Sequence, residues 1–180
     1  MTVPRELTVD HGRLIQLPVR ELDHYRSAKV RYQDLAVSEE TSLQGLSGHC
    51  LDMTVQIRPV EDTRLYKRFH MKVASDGEHF TSISYMPETG LVRVDRTRSG
   101  YFPDIENVRE FPVRNRQGRL DLRLVMDRYS LELFVNGGEQ AASFMICRQE
   151  SADSITFACE GTALLDVEKY DLTVLHPAEG

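Results

Sequence analysis

An all-β chain, folded as a two-sheet antiparallel β-sandwich, is what the sequence predicts, on three observations. Apolar and polar residues alternate with period two over many short segments, as on strands that bury one face. Turn signals recur roughly every ten residues, and helical periodicity is almost absent. A closed barrel is the alternative architecture.

Taken in order, Asp10-His11-Gly12 marks a first turn between apolar runs. One stretch invites a helix, and only a short one near residues 18–26: Pro18 suits a first helical turn, and Val19, Leu22 and Tyr25 or Arg26 follow at three-to-four-residue spacing. Residues 51–57 and 69–73 read as strands, with Asp76-Gly77-Glu78 as the next turn. Pro87-Glu88-Thr89-Gly90 then turns the chain into a strand over 91–94. The stretch 96–117 is weakly patterned and is expected to be a long surface loop. In 120–126, Leu120, Leu122, Leu124 and Met126 fall on one face of the clearest strand. Asn136-Gly137 joins a strand over 131–135 to one over 139–146, because this dipeptide adopts the positive φ angles of a tight hairpin. No repeat, low-complexity tract or linker divides the chain, so one β-sandwich domain over residues 1–180 is expected.

The 180 residues carry 22 Lys and Arg against 28 Asp and Glu, a net charge of −6. Nucleic-acid phosphates demand clustered cations, and nothing longer than scattered pairs such as Lys67-Arg68 is present, so no nucleic-acid partner is expected. No run reaches the roughly 18 apolar residues of a membrane span, and the start lacks the basic and apolar regions of a signal peptide. No membrane partner is expected. Cys50, Cys147 and Cys159 lie at unrelated spacings in apolar runs, and buried free thiols are expected. Free thiols point to the cytoplasm.

A glycosidase requires two carboxyl groups across the scissile bond. Asp127 and Glu132 flank a strand, but an outward acid on such a strand is ordinarily solvated or ion-paired. His11, His24, His49, His70, His79 and His176 are spread singly, so no metal site is expected. A nucleophile elbow and a phosphate loop are both missing. No catalytic residue is therefore assigned, and no cofactor is expected. For carbohydrate binding, Trp is absent, and Tyr101-Phe102 in the expected loop is the adjacent aromatic pair that could form a sugar platform.

Three segments then carry a resemblance. The first runs through Pro4-Arg5-Glu6-Leu7-Thr8 to Gln16-Leu17-Pro18, and the second is Leu91-Val92-Arg93-Val94-Asp95-Arg96. The third and most specific spans 120–144, with Asp127, Ser130, Glu132, Phe134, Asn136 and Gly138-Glu139 in pattern. Together they resemble the C-terminal domain of glycoside hydrolase family 32, which holds invertases, sucrose-6-phosphate hydrolases and levanases. Tyr170 stands where the family often has Trp.

The resemblance implies a sandwich of the galectin/concanavalin-like kind, and it implies a partner: the catalytic five-bladed propeller domain of the same polypeptide. None of the propeller's catalytic motifs is present. The chain has no Trp and no Asp-Pro dipeptide, and Cys159-Glu160 reverses the order of the acid/base pair. The chain is thus expected to be a non-catalytic piece of a β-fructosidase. It would support the propeller and take part in oligomerisation, with a homodimer and a carbohydrate as further candidate partners. The interdomain candidates are Pro4, Arg5, Glu6, Asp95, Arg96, Asp127, Glu132, Phe134 and Asn136. Pro4-Arg5-Glu6 and the side of the strand bearing Glu132 and Phe134 are expected to face the propeller. The alternative, that Arg5 and Glu6 pair within the sandwich, stays open. The competing function is an autonomous lectin-like module binding fructans.

Overall fold

The structure is a computed structural model, and it describes residues 3–61, 64–100, 106–147 and 149–173. The alternation resolves there into fourteen strands and one short 3-10 helix. The strands are β1 (Arg5–Asp10), β2 (Arg13–Pro18), β3 (Arg26–Val37), β4 (Thr41–Ser47), β5 (Leu51–Pro59), β6 (Arg68–Ser75) and β7 (Thr81–Met86). They continue as β8 (Leu91–Asp95), β9 (Val108–Pro112), β10 (Leu120–Met126), β11 (Ser130–Val135), β12 (Gln140–Met145), β13 (Ser154–Glu160) and β14 (Ala163–Leu172). The helix is Arg20–Tyr25, within the predicted stretch.

β1 and β2 form a separate hairpin, while the rest make two six-stranded sheets. The first sheet runs β12-β11-β10-β5-β14-β3 and the second β4-β13-β6-β7-β8-β9. All pairings are antiparallel, and both sheets keep open edges, so the architecture is a sandwich and not a barrel.

The core is what the period-two pattern predicts. Leu120, Leu122, Leu124 and Met126 are all buried, with Leu122 opposite Val55 and Val55 opposite Val167. From the other sheet come Phe69, Met71, Ile83, Tyr85 and Phe157, with the Phe69 and Phe157 rings 6.4 Å apart. Tyr66 closes one end, its hydroxyl donating to the Gly118 carbonyl at 2.6 Å.

The Asn136-Gly137 turn is present, with φ of 53° and 69°, and Gly138 follows at 90°. Gly138 has a second reason to be glycine. A Cβ there would stand 2.3 Å from the Gln16 carbonyl oxygen, because β2 lies against this turn and the Gln16 amide donates to the Gly138 carbonyl at 3.0 Å. The entry hairpin is thereby hooked to the β11–β12 connection.

Two expectations are corrected. The stretch 96–117 is not all loop, since β9 pairs along β8 from Val108 opposite Asp95 to Pro112 opposite Leu91. It is an edge strand, and an edge needs little apolar pattern. The thiols are free, but only Cys159 is buried. Cys50 precedes β5 and is partly covered, and Cys147 follows β12 and is exposed, because neither sits at an inward position of a strand.

Candidate interdomain site

β1 brings Arg5 to the outer face of the first sheet, where β11 presents Glu132 and Phe134 at alternate positions. Arg5 Nη2 donates to Glu132 Oε2 at 2.5 Å and to Ser143 Oγ at 2.7 Å, while Nη1 reaches Gln16 Oε1 at 3.0 Å. Ser143 lies directly opposite Glu132 on β12 and donates to the same Oε2 at 2.8 Å. The Arg5 guanidinium also lies 5.3 Å from the Phe134 ring centroid. Glu132 is 0% exposed, so its charge is held by this arrangement and not by solvent. Its second oxygen, Oε1, has no protein partner.

Glu6 faces the other way, as alternation requires. It accepts from the Arg20 amide at 3.3 Å and from Arg20 Nε at 3.0 Å, which holds its carboxyl below the usual range. The carbonyl of Pro4 accepts from the Val19 amide at 3.1 Å. Arg5 and Glu6 therefore both find partners within the chain.

Asp127 caps a turn, its Oδ1 accepting from the amides of Tyr129 and Ser130 at 2.8 and 2.7 Å. With Glu132, Tyr129, Ser130, Ser143, Phe144 and Met145 it lines a depression of about 310 Å³. A larger hollow of about 620 Å³ adjoins it, sharing Asp127 and Ser130, and is mainly apolar: Val3, Pro4, Leu22, Tyr25, Val125 and Leu172 contribute. Asn136 is at the opposite end of β11, where Oδ1 accepts from the Asp121 amide at 3.3 Å and stabilises the turn.

Neither Asp95 nor Arg96 lines the depression or the hollow. Asp95 is on β8 in the second sheet, accepting from the Thr97 amide at 2.9 Å and from Arg93 Nη2 at 3.2 Å. Arg96 is buried and spans the sheets: Nη1 donates to the Met145 carbonyl at 2.8 Å and Nη2 to the Glu106 carbonyl at 2.7 Å. Tyr101 and Phe102 lie outside the described residues. Among the described residues no three His, Cys, Asp or Glu converge as a metal site.

Sequence reasoning missed a second charge cluster on the same outer face. Asp52 is buried between Arg26, whose Nη2 is at 2.6 Å, and Arg123, whose Nη2 is at 2.8 Å. Arg26 in turn lies 4.7 Å above the ring of Tyr170, which gives the residue at the family's Trp position an aromatic role. The available signal was one acid inside the apolar run 51–57 and one Arg inside 120–126, each at an outward position.

The described residues thus form a two-sheet β-sandwich whose entry hairpin is tied to its outer face by a buried ion pair, beside an apolar hollow. The family model described as glycosyl hydrolases family 32 C terminal matches residues 21–174, and the chain belongs to that family. It is 29% identical over 180 residues to a sucrose-6-phosphate hydrolase of Staphylococcus xylosus, covering 96% of this chain and 34% of that protein. It is 27% identical over 164 residues to a levanase of Bacillus subtilis (strain 168), covering 86% and 24%. Among solved structures, the exo-inulinase of Aspergillus awamori superposes with a TM-score of 0.77 at 18% identity, over 96% of this chain and 35% of that one. The chain thus spans about a third or less of the length of these relatives. β1 and β2 precede the family match.

Proposed function

We propose that this chain is the non-catalytic sandwich domain of a β-fructosidase acting on sucrose or sucrose-6-phosphate, and that it braces the catalytic propeller of the same polypeptide. One observation carries the reading. The β1–β2 hairpin stands off the sandwich with Leu7 61%, Val9 75% and Leu14 51% exposed, all on one face of the hairpin by its register. A two-stranded hairpin is marginal alone in water, and clustered exposed apolar side chains mark an interaction surface. Arg5 and Gln16 fix this hairpin beside the hollow lined by Val3 and Pro4. A preceding domain would therefore meet both apolar surfaces at once.

The test is fructose release from sucrose and sucrose-6-phosphate by the 180-residue chain, alone and with the separately expressed upstream domain. No release alone and release with the upstream domain added, above that domain's own rate, is the expected result. Release by the chain alone overturns the reading and returns attention to Asp127 and Glu132. Titration with sucrose, inulin and levan is expected to give no heat, since a bracing surface has no need of sugar.

A further inference from the structure

We propose that the depression over Glu132 is a socket for one basic side chain, an Arg or Lys, of the domain preceding this one in the polypeptide; the inference rests on the bracing reading. Glu132 is wholly buried, yet its two oxygens are treated unequally. Oε2 accepts from both Arg5 and Ser143, and Oε1 accepts from nothing. A buried acceptor without a donor is unfavourable, and a carboxylate oxygen more so than a neutral one.

The lining says which donor fits. It holds two carboxylates, Glu132 and Asp127, and no cation, because Arg5 reaches Glu132 from the hairpin side and does not line the depression. Its rim carries Tyr129 at 68% and Met145 at 50% exposure. An aromatic face and a thioether suit the aliphatic stem and charged head of a long basic side chain, whose head makes the strong charge-assisted bond to a carboxylate. The depression also shares Asp127 and Ser130 with the apolar hollow beside the entry strand. Socket and hollow would be covered by the same partner, polar contact beside apolar contact. A furanose hydroxyl could also donate to Oε1, but two carboxylates without a lining cation favour a charged occupant.

The experiment compares backbone hydrogen exchange in the full polypeptide and in the 180-residue chain, reading peptides over 5–18, 127–132 and 143–146. Full-length protein is expected to exchange at least about tenfold more slowly than the isolated chain in all three. Two substitutions probe the socket: Met145→Arg places a guanidinium over Glu132 from an exposed rim position, and Glu132→Gln removes the charge. In full-length protein each is expected to abolish the extra protection at 127–132 and 143–146. Met145→Arg is expected to leave it at 5–18 and to leave the melting temperature of the isolated chain unchanged.

Protection confined to 5–18 in the unsubstituted protein overturns the socket and leaves the brace standing. Protection in none of the three peptides overturns both. Unchanged protection in both variants overturns the socket. So does protection of 127–132 in the isolated chain by added fructose or sucrose, which would make the occupant a sugar.

Discussion

Glu132 and Asp52 are buried carboxylates, one held by a single guanidinium and the other by two, and their cost is clearest when a partner is removed. Deleting one member of a buried pair leaves an uncompensated charge, which costs about 3–5 kcal/mol. Arg5→Ala is expected to fall near the lower end, about 3 kcal/mol, because part of the guanidinium reaches solvent; urea denaturation of the isolated chain measures it. Arg26→Ala is expected to cost less than Arg5→Ala, since Arg123 still answers Asp52 through two hydrogen bonds at 2.8 and 2.9 Å. The thiols make a second residue-scale test. Burial pushes the Cys159 thiol up to about 12, so its nucleophilic thiolate is scarce at neutral pH, whereas Cys147 is exposed. Maleimide at pH 7.5 is expected to modify Cys147 first and Cys159 only on unfolding, as peptide mapping of timed samples would reveal.

At the scale of elements, the hook between β2 and the β11–β12 turn is the point where one substitution separates the hairpin from the sandwich. Gly138→Ala would drive a methyl group into the Gln16 carbonyl at a positive φ of 90°. Expected are fast exchange over 5–18 and a melting transition of the sandwich lowered by only a few degrees, because Gly138 lies outside the core. The same region shows what the sequence made legible. β10 was readable because burial of one face imposes period two, and the β11–β12 turn because Asn136-Gly137 tolerates positive φ, whereas β11 is buried on both faces from Leu131 to Val135. β9 was not readable, since an edge strand need not bury its outer positions. Glu132 was legible as an outward acid, solvated or ion-paired, but not as a buried one, because its cover is supplied by Arg5, 127 residues away in sequence. Ser143 and Gln16 complete the cluster through contacts between strands, which leave no local pattern. Asp52 was missed for the same reason, its two arginines arriving from β3 and β10.

At the scale of the whole molecule, the carboxylates with shifted pKa values lie on the outer surfaces, and these shifts work in one direction. Lys72 hydrogen-bonds Glu40, Lys29 hydrogen-bonds Glu168, and the His79 amide hydrogen-bonds Asp76, each holding its carboxyl below the ordinary range. His70, on the outer face of β6, is also shifted down, chiefly by burial and further by Lys72 and Arg68, with Glu40 and Asp95 opposing. For all four groups the unfolded chain binds protons more readily than the folded one, so stability rises with pH through each titration. The histidine contribution is complete above its ordinary value of about 6.5 and is lost as pH falls toward its lower folded value. The carboxylate contributions are complete above about 4.5 and are lost as pH falls through their depressed folded values. The urea midpoint of the isolated chain is therefore expected to show a plateau near neutrality, a shallow decline from about pH 6.5 and a steeper one below about pH 4.5. His70→Asn is expected to remove the shallow decline and spare the steep one. A midpoint that rises on acidification from pH 7 to 5 would contradict a downward shift of His70 in the folded chain.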